Sequence, residues 1–247
     1  MSIKKGKVYA VIPARSGSTS VKDKNIRLLG SYPLMAYSIA AAKTVNEIDR
    51  TFVSTDSEIY RKIALKYGAE APFLRPQEIS GPYSTDLEFM EHIITWLEEN
   101  EGELPEYWVH LRPTTPFRDP NLIVKAIRKI EQDPRATCLR SAHFSDLCPM
   151  KWFKLNNNGY FDTFCGISHD EANGPRQKFP STYIPDGYVD ILKTEFIINN
   201  KKLHGNHVLA FLVPPTIDVD YEYEFQDLEK SIGDYMGPVI DWLDSRH

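Results

Sequence analysis

The sequence predicts an α/β fold with a mostly parallel sheet, organised as one domain. Residues 8–13 form an uninterrupted apolar run that leads into a polar loop, as is typical of a strand buried in a parallel sheet. Further strand patterns at residues 51–54 and 107–111 alternate with helical patterns. The chain has 247 residues, 42% of them hydrophobic, which is enough to bury the core of one α/β domain with an excursion.

Three helices are predicted in the first half of the chain. Residues 34–43 read as a helix, and a second helix opens at Ser57, directly after the strand at residues 51–54. A third, amphipathic helix follows residues 84–86 and runs to about Asn100. Ser, Thr and Asp are common N-cap residues, so the segment before this helix is a helix start signal.

The second half of the chain is less regular. Between residues 140 and 185 the periodicity weakens, and aromatic residues mixed with asparagines predict a hairpin excursion from the core. A helical pattern carried by Tyr223, Leu228 and Ile232 closes the domain. Residues 235–247 form an appended segment to which the sequence assigns no role.

The loop after the first strand combines small, hydroxyl-bearing and cationic residues. Because ligands of open α/β sheets gather beyond the carboxyl ends of the strands, this loop lies where a ligand would bind. Gly17 permits close backbone approach, and Arg15, Lys22 and Lys24 can oppose the charge of a triphosphate. The hydroxyl donors are Ser16, Ser18, Thr19 and Ser20. The spacing fits neither the Walker A motif nor the dinucleotide fingerprint, so we predict a different phosphate cradle; the alternative is an ordinary polar loop with surface cations.

This loop resembles the N-terminal signature of the acylneuraminate cytidylyltransferases, the family of CMP-sialic acid synthetases, and more distantly that of the octulosonate cytidylyltransferases. The matching residues are Ala14, Arg15, Gly17, Ser18, Lys24 and Asn25. Thr19 replaces a family lysine that contacts nucleotide phosphates, and Ser20 and Lys22 replace a glycine and a proline. We therefore predict that Lys22 supplies a substitute charge. The resemblance implies a Rossmann-like, three-layer α/β/α nucleotidyltransferase domain.

Further matches follow in the family order along residues 8–232, and this order is more specific than any single motif. By this resemblance Arg75 and the segment that contains Ser84 and Asp86 flank the nucleotide pocket. An ordinary helix N-cap is the equal alternative for the second of these. The residues implied to bind the nucleotide are Ala14, Arg15, Gly17, Ser18, Thr19, Lys22, Lys24, Asn25, Arg75, Ser84 and Asp86.

Residues 112–118 resemble the family motif that faces the sugar. Arg112 stands where the family has glutamine, and it can form a bidentate pair with a carboxylate of the acceptor; the alternative is a structural ion pair. Asp186 and Asp190 replace a family asparagine and a sugar-facing tyrosine, which implies altered acceptor specificity. Asp186 followed by Gly187 also has the composition of a tight turn. The residues implied to bind the acceptor are Arg112, Thr114, Thr115, Arg176, Gln177, Asp186, Gly187 and Asp190.

A D-x-D motif near the C-terminus is similar to the family motif whose aspartates hold magnesium. Asp218 and Asp220 lie two residues apart, so on a regular strand both would point to one face. Their anionic oxygens suit Mg²⁺, or Mn²⁺ in its place. The alternative is a solvated strand end.

The resemblance implies nucleotidyl transfer, in which the anomeric hydroxyl of a 2-keto-3-deoxy sugar acid attacks the α-phosphorus of CTP and pyrophosphate leaves. The acceptor is left open among sialic, legionaminic, pseudaminic, octulosonic and related acids. The catalytic residues implied are Arg15, Lys24, Asp218 and Asp220, and no side-chain base is evident. Two alternatives stay open: a glycosyltransferase with a D-x-D metal motif, and a catalytically silent nucleotide-sensing module.

Composition and charge argue against several other classes of partner. The net charge of −5, from 29 basic and 34 acidic residues, provides no basic field for nucleic acid. No signal peptide pattern is evident, and no apolar run reaches the roughly 20 residues of a membrane span, so we expect no membrane partner. Cys138, Cys148 and Cys165 are odd in number and lack metal-type spacing, which favours reduced thiols in a cytoplasmic protein.

The predicted insert at residues 140–185 has a further implied role. By the resemblance it is the dimerisation element of a homodimer, and it carries sugar-site residues into the pocket of the neighbouring subunit. The alternative is a hairpin that packs on its own sheet.

Overall fold

Strands and helices alternate along most of the chain in the computed structural model, which describes residues 2–246. The strands are β1 (Ser2–Pro13), β2 (Leu28–Leu29), β3 (Tyr32–Pro33), β4 (Arg50–Ser54), β5 (Glu103–His110), β6 (Cys138–Ser145), β7 (Phe153–Leu155), β8 (Phe161–Thr163), β9 (Thr182–Lys193) and β10 (Val208–Leu212). The α-helices are α1 (Leu34–Lys43), α2 (Glu58–Lys66), α3 (Asp86–Asn100), α4 (Pro120–Glu131), α5 (His169–Ala172), α6 (Thr194–Asn200), α7 (Glu222–Ser231) and α8 (Pro238–Asp244).

Six strands form the central sheet, in the order β10-β6-β9-β5-β1-β4. β1 pairs in parallel with β4 and β5, and β10 pairs in parallel with β6. β9 runs antiparallel to its neighbours β5 and β6. The prediction of a mostly parallel sheet is confirmed, and the carboxyl ends of β1, β4 and β5 meet at one edge, where ligands of such sheets bind.

Side chains of the sheet alternate between two cores. Ala10 and Ile12 of β1 belong to the core that also contains α1, α4, α7 and α8. Tyr9 and Val11 belong to the opposite core, with α3, α6 and the fully buried Trp108. Helices therefore cover both faces of the sheet, and the predicted three-layer α/β/α arrangement is confirmed.

The predicted helix boundaries agree closely with the structure. α1 spans residues 34–43, as predicted. Ser57 caps α2, because its hydroxyl oxygen accepts a hydrogen bond from the Tyr60 N–H at 3.5 Å. Thr85 caps α3 in a capping box with Glu88, so the N-cap interpretation of this segment is confirmed.

The hairpin predicted within residues 140–185 is confirmed. β7 and β8 pair in antiparallel, joined by a turn in which the Asn156 N–H donates to the Tyr160 carbonyl at 2.9 Å. The two ends of the predicted insert belong to the central sheet, since β6 continues to Ser145 and β9 begins at Thr182. The segment that leaves the sheet is therefore shorter than the predicted insert.

The D-x-D segment does not form the regular strand on which Asp218 and Asp220 would point to one face. No helix or strand lies between β10 and α7. Pro214 and Pro215 carry no N–H, so they cannot continue the ladder that β10 makes with β6. The Val219 N–H donates instead to the Thr114 carbonyl at 2.9 Å, which holds the D-x-D segment against the sheet edge.

The predicted closing helix is present as α7, but its buried face differs from the predicted one. Phe225 and Leu228 are fully buried, whereas Tyr223 is exposed. Residues beyond α7 also join the core: α8 packs against α1 and buries Val239 and Leu243. The C-terminal segment is therefore an integral part of the domain.

Within residues 2–246, no helix has the length and apolar character needed to cross a membrane. The cysteines are free thiols, with Cys138 and Cys148 buried and Cys165 exposed.

Candidate active site

A cavity of about 290 Å³ opens where β1 and β5 end and where α3 begins. It lies at the sheet edge at which the sequence predicts a phosphate cradle. Eight of the eleven residues predicted to bind the nucleotide line this cavity: Arg15, Ser18, Thr19, Lys24, Asn25, Arg75, Ser84 and Asp86. The structure therefore brings together the loop after β1, Arg75 and the start of α3, which are far apart in the sequence.

The other three predicted nucleotide residues do not line the cavity. Ala14 is fully buried, and its N–H donates to the Ser54 carbonyl at 2.9 Å. Gly17 shapes the loop, because its φ of 71° is left-handed and favours glycine. Lys22 is exposed, so its position does not support the prediction that it replaces the missing family lysine. The lysine that reaches the cavity from this loop is Lys24.

The loop after β1 is held in shape by Asp56, which follows the end of β4. Its carboxylate accepts hydrogen bonds from the Ser16 N–H and from the Ser16 hydroxyl, each at 2.7 Å. The Asn25 side-chain amide donates to the Arg15 carbonyl at 2.9 Å and closes the far end of the loop. Asn25 is thus a loop-shaping residue as well as a lining residue.

Two guanidinium groups at the cavity have no carboxylate partner. Within residues 2–246, neither Arg15 nor Arg75 makes an ion pair. Arg75 is buried and donates to the Ser54 hydroxyl at 3.0 Å and to the Ser54 carbonyl at 2.8 Å. Burial lowers its pKa to about 10, which still leaves it charged at neutral pH. These unpaired cations favour an anionic ligand in the cavity.

Arg112 also lines the cavity and is already paired. Its Nη2 donates to Asp86 at 2.8 Å and its Nη1 to Asp190 at 3.1 Å. Arg140 also approaches Asp190, at 3.5 Å. Burial opposes the charge of Arg112, but Asp190 and Asp86 outweigh it and raise its pKa. The structural ion pair, the alternative to acceptor binding at Arg112, is therefore what the structure contains.

The predicted turn at Asp186 and Gly187 is present beside Arg112. Asp186 is buried, accepting a hydrogen bond from the Ser141 hydroxyl at 2.6 Å and contacting His143 Nδ1 at 3.3 Å. Gly187 has a φ of 63°, and a Cβ there would lie 3.3 Å from Arg112 Cδ. The left-handed backbone therefore favours glycine here, and a side chain would also crowd Arg112. Asp186 is not among the residues that line the cavity, and its carboxylate accepts hydrogen bonds from the Ser141 hydroxyl and the Tyr188 N–H.

Thr114 and Thr115 have different places. Thr114 lines the cavity and its hydroxyl donates to Asp218. Thr115 is fully buried, and its hydroxyl donates to the Asp186 carbonyl at 3.0 Å. Thr115 therefore supports the turn at Asp186, whereas Thr114 is placed to meet a ligand.

The two aspartates of the D-x-D motif differ in environment. Asp218 Oδ1 is buried and has no hydrogen-bond partner in the part of the chain that the structure describes. Burial raises the pKa of Asp218 above its ordinary value. Asp220 lines the cavity, and its side chain is 71% exposed and lies 3.4 Å from Lys24 Nζ. Lys24 Nζ also donates to the Val219 carbonyl at 2.5 Å.

This pair fits a hard divalent cation. A buried carboxylate oxygen without a donor gains most from a cation at its side. No group of three or more His, Cys, Asp or Glu residues able to hold a metal occurs between residues 2 and 246. Two carboxylates are nevertheless sufficient for Mg²⁺, which commonly takes one or two from the protein and the rest of its ligands from phosphate and water.

Arg176 and Gln177 do not line the cavity. They lie in a short 3-10 helix, Arg176–Lys178, in the segment that leaves the sheet. The Arg176 Nη1 donates to the Pro180 carbonyl at 3.2 Å. Within one chain these residues are therefore separate from the other predicted site residues.

Sequence reasoning missed several residues of the cavity. Phe89 lines it and lies under the Arg75 guanidinium, 4.8 Å from Cζ to the ring centroid. Asp56 does not line the cavity but holds the loop beside it, and the sequence predicts no role for it. Its place after β4 was a usable signal, because the carboxyl ends of parallel strands meet at one edge. Phe89 had no such signal, since apolar helix residues usually face the core.

Comparison with known proteins agrees with this geometry. The family model described as "Cytidylyltransferase" matches residues 9–161. The pseudaminic acid cytidylyltransferase of Campylobacter jejuni is 31% identical over 223 residues, which cover 90% of this chain and 94% of the relative. The N-acylneuraminate cytidylyltransferase of Escherichia coli is 29% identical over 222 residues, covering 89% of this chain and 51% of the relative. The chain thus spans about half the length of the E. coli protein.

Solved structures share the fold. The CMP:2-keto-3-deoxy-manno-octonic acid synthetase complexed with CTP gives a TM-score of 0.67 at 15% identity, covering 93% of this chain and all of the other. The 4-diphosphocytidyl-2C-methyl-D-erythritol synthase of Anaerococcus prevotii gives a TM-score of 0.61 at 13% identity, covering 92% and 97%. These likenesses confirm the predicted nucleotidyltransferase fold. Together with the match over residues 9–161, the sequence relatives show that this chain belongs to the cytidylyltransferase family.

Proposed function

We propose that this protein transfers CMP from CTP to the anomeric hydroxyl of a 2-keto-3-deoxy sugar acid and releases pyrophosphate. The observation that carries the proposal is the pair of unpaired guanidinium groups, Arg15 and Arg75, beside Lys24 in one cavity of a cytidylyltransferase domain. A triphosphate would neutralise these charges. The names of the sequence relatives supply the class of acceptor, since they act on N-acylneuraminic and pseudaminic acids.

The proposed reaction is a displacement at phosphorus. The bond from the anomeric oxygen to the α-phosphorus forms, the bond to the pyrophosphate oxygen breaks, and the hydroxyl proton is released. Arg15 and Lys24 would stabilise the charge that moves onto the leaving pyrophosphate. Ser18 and Asn25 would fix the nucleotide, because both line the cavity on the same loop.

We propose that Mg²⁺, or Mn²⁺, binds at Asp218 and Asp220. The support is the buried Asp218 Oδ1 without a hydrogen-bond partner and the exposed Asp220 carboxylate nearby in the chain. When bound, the ion would supply Lewis-acid stabilisation of phosphate charge. Asp218→Asn should abolish metal-dependent protection of the fold against heat. Asp227→Asn, a surface carboxylate on α7, serves as the matched control.

We also propose that the chain acts as a homodimer through the segment that leaves the sheet. That segment and the strand ends beside it expose many large apolar side chains, and an exposed cluster of this kind is typical of an interaction surface. They are Phe144, Leu147, Trp152, Phe153, Leu155, Tyr160, Phe161, Phe164, Tyr183 and Ile184. In such a dimer Arg176 and Gln177 would contact the acceptor in the partner's cavity. Phe153→Lys with Phe161→Lys should yield monomers in light scattering, whereas Ile59→Lys, exposed on α2, should not.

One screen tests the proposed reaction. Pyrophosphate release is measured with each of four nucleotide triphosphates, with and without Mg²⁺, against sialic, legionaminic, pseudaminic and octulosonic acids. Metal-dependent release with CTP and at least one of these acids is the expected result. Tight CTP binding with no release under any condition would favour the nucleotide-sensing alternative. Loss of a nucleoside diphosphate from a sugar donor would instead favour a glycosyltransferase, against which the family match argues.

A further inference from the structure

A guanidinium group is buried behind the turns that face the cavity. Arg118 follows the Arg112 turn in the chain and is 1% exposed. Its Nη2 donates to the Arg112 carbonyl at 2.7 Å and also to the Gly187 carbonyl at 3.1 Å. Its Nε donates to the Tyr188 carbonyl at 2.5 Å. One side chain thus ties the Arg112 turn to the Gly187 turn, and we call this group the arginine clamp.

The charge of the clamp has no carboxylate partner. Among residues 2–246, Arg118 makes no ion pair, and its Nη1 donates to the neutral hydroxyl of Ser38 at 2.9 Å. Burial lowers its pKa to about 10. A buried, unpaired charge is costly, so a residue whose only task was to fill space would be better replaced by an apolar one. What an apolar residue cannot supply is a rigid fork of donors that reaches two turns at once.

Tyr235, from the C-terminal segment, fixes the backbone of the clamp. Its hydroxyl accepts a hydrogen bond from the Arg118 N–H at 3.1 Å and donates to the Arg118 carbonyl at 2.7 Å. Its ring stacks on Phe117 with centroids 4.4 Å apart and an angle of 25° between the planes. Both polar groups of the Arg118 backbone are therefore satisfied by a residue that lies 117 positions away.

The two joined turns lie close to each other and to the D-x-D motif. A Cβ on Gly187 would lie 3.3 Å from Arg112 Cδ and 3.6 Å from Asp218 Oδ2, so the turns are in contact with each other and with the D-x-D motif. Arg112 lines the cavity as well. The spacing between the two turns therefore affects where Arg112 lies in the cavity wall.

We propose that Arg118 and Tyr235 are positioning residues for nucleotidyl transfer: they fix the spacing between the Arg112 turn and the Gly187 turn, and through it the alignment of the acceptor hydroxyl with the α-phosphorus. This inference rests on the proposed cytidylyl transfer. Within residues 2–246, Arg15, Lys24 and Arg75 make no hydrogen bond or ion pair with Arg118 or Tyr235, so we expect the clamp to act on the transfer step more than on binding of the phosphates. The rate of transfer should then depend on the clamp, and the apparent affinity for CTP should not.

Two substitutions and one control test the clamp by steady-state kinetics. Arg118→Lys keeps a cation and removes the fork, and it should lower kcat about 100-fold, as a misplacement of about 1 Å does. Tyr235→Phe keeps the ring stack and removes two hydrogen bonds, and it should lower kcat roughly 10-fold. In both variants the KM for CTP should stay at the wild-type value. The control is Tyr37→Phe, which removes the buried hydrogen bond to the Leu29 carbonyl in the same aromatic cluster without touching Arg118.

The control should lose thermal stability and keep its kcat, which separates positioning from general destabilisation. A wild-type kcat in both Arg118→Lys and Tyr235→Phe would overturn the inference, as would a rise in the KM for CTP without a fall in kcat. Hydrogen exchange provides a readout that needs no turnover. Tyr235→Phe should speed amide exchange in both turns together, and Tyr37→Phe in neither. If wild-type protein released no pyrophosphate, the proposed function would be wrong. The hydrogen-exchange result would still show whether Arg118 and Tyr235 hold the two turns together.

Discussion

The nucleotide side and the acceptor side of the cavity differ in whether their cationic side chains are paired with carboxylates. On the nucleotide side, Arg15 and Arg75 make no ion pair within residues 2–246, and Lys24 pairs with the exposed Asp220 and donates to the Val219 carbonyl. On the acceptor side, Arg112 is paired with Asp86 and with the buried Asp190. One side thus has two guanidinium groups without a carboxylate partner and one lysine paired with an exposed carboxylate, whereas the charge of Arg112 on the other side is neutralised by two carboxylates.

This difference indicates two modes of recognition. Unpaired cations attract a polyanion and contribute through charge, so the nucleotide side should depend strongly on each cation. Paired groups hold one another in place and offer a ligand a fixed surface rather than a net charge. An acceptor carboxylate would have to compete with Asp86 and Asp190 for Arg112, so recognition at this side should depend on shape and on hydrogen bonds.

The largest effect is expected on the nucleotide side. Arg15→Ala removes an unpaired cation from the phosphate site and should lower kcat/KM for CTP on the order of 10³-fold, as losses of arginines that stabilise phosphoryl charge do. Its stability to urea should be unchanged, because Arg15 has no ion pair to lose. Steady-state kinetics and urea unfolding measure the two quantities. If Arg15→Ala lowered stability and left kcat/KM for CTP unchanged, Arg15 would be a structural residue rather than a phosphate-binding one.

On the acceptor side, we expect substitution of Arg112 to lower the stability of the fold. Arg112→Met leaves the buried Asp190 without its closest cation and should lower the free energy of unfolding by about 3 kcal/mol. Adding Asp190→Asn to this variant should recover much of the loss. Lys4→Met, which breaks the exposed pair with Glu103, should change stability by less than about 1 kcal/mol. Equal losses from the two Met variants would show that Asp190 does not need Arg112.

A buried histidine beneath the acceptor side predicts a pH dependence. Burial lowers the pKa of His110 from 6.5 to about 4 in a setting that includes Arg112, Asp86, Asp190 and His204. Above pH 6.5 both the folded and the unfolded chain hold neutral His110. Between pH 6.5 and 4, His110 is protonated in the unfolded chain but stays neutral in the folded chain. The free energy of unfolding therefore falls by up to about 3 kcal/mol as the pH is lowered through this range.

Denaturant unfolding between pH 7 and 4 tests this expectation, with His110→Phe as the variant that cannot titrate. As the pH falls, wild type should lose more unfolding free energy than His110→Phe, so that the variant gains stability relative to wild type. Parallel pH profiles for the two proteins would contradict the assignment. Carboxylate titrations are common to both proteins and cancel in the difference.

The smallest effect is expected from Lys22. It lies on the same loop as Lys24 but is exposed and outside the cavity, so Lys22→Ala should leave the KM for CTP close to the wild-type value. Lys24→Ala should raise it clearly, because Lys24 lines the cavity. A large rise in KM for Lys22→Ala would restore the prediction made from the sequence, in which Lys22 replaces the family lysine.

The sequence predicted the fold because its signals were local. The apolar run of β1, the residues that begin α2 and α3, and the turn residues of the β7 and β8 hairpin each act within a few positions of themselves. Asp218 and Asp220 do not lie on a regular strand, because Pro214 and Pro215 interrupt the ladder; these prolines are visible in the sequence. The buried face of α7 was misplaced because Tyr223 fits a helical pattern whether it faces the core or the solvent.

The sequence by itself determined the fold class, the cytidylyltransferase motifs and most of the residues that meet at the cavity. Only the tertiary structure decided which of these residues are free to bind. Arg15 and Arg112 are the same residue type, yet Arg112 is paired because α3 and β9 bring Asp86 and Asp190 to it. Lys24 reaches the cavity and Lys22 does not, and Tyr235 meets Arg118 across 117 positions of chain. Charge, burial and hydrogen-bond partners arise between residues that are distant in the chain, so no local pattern contains them.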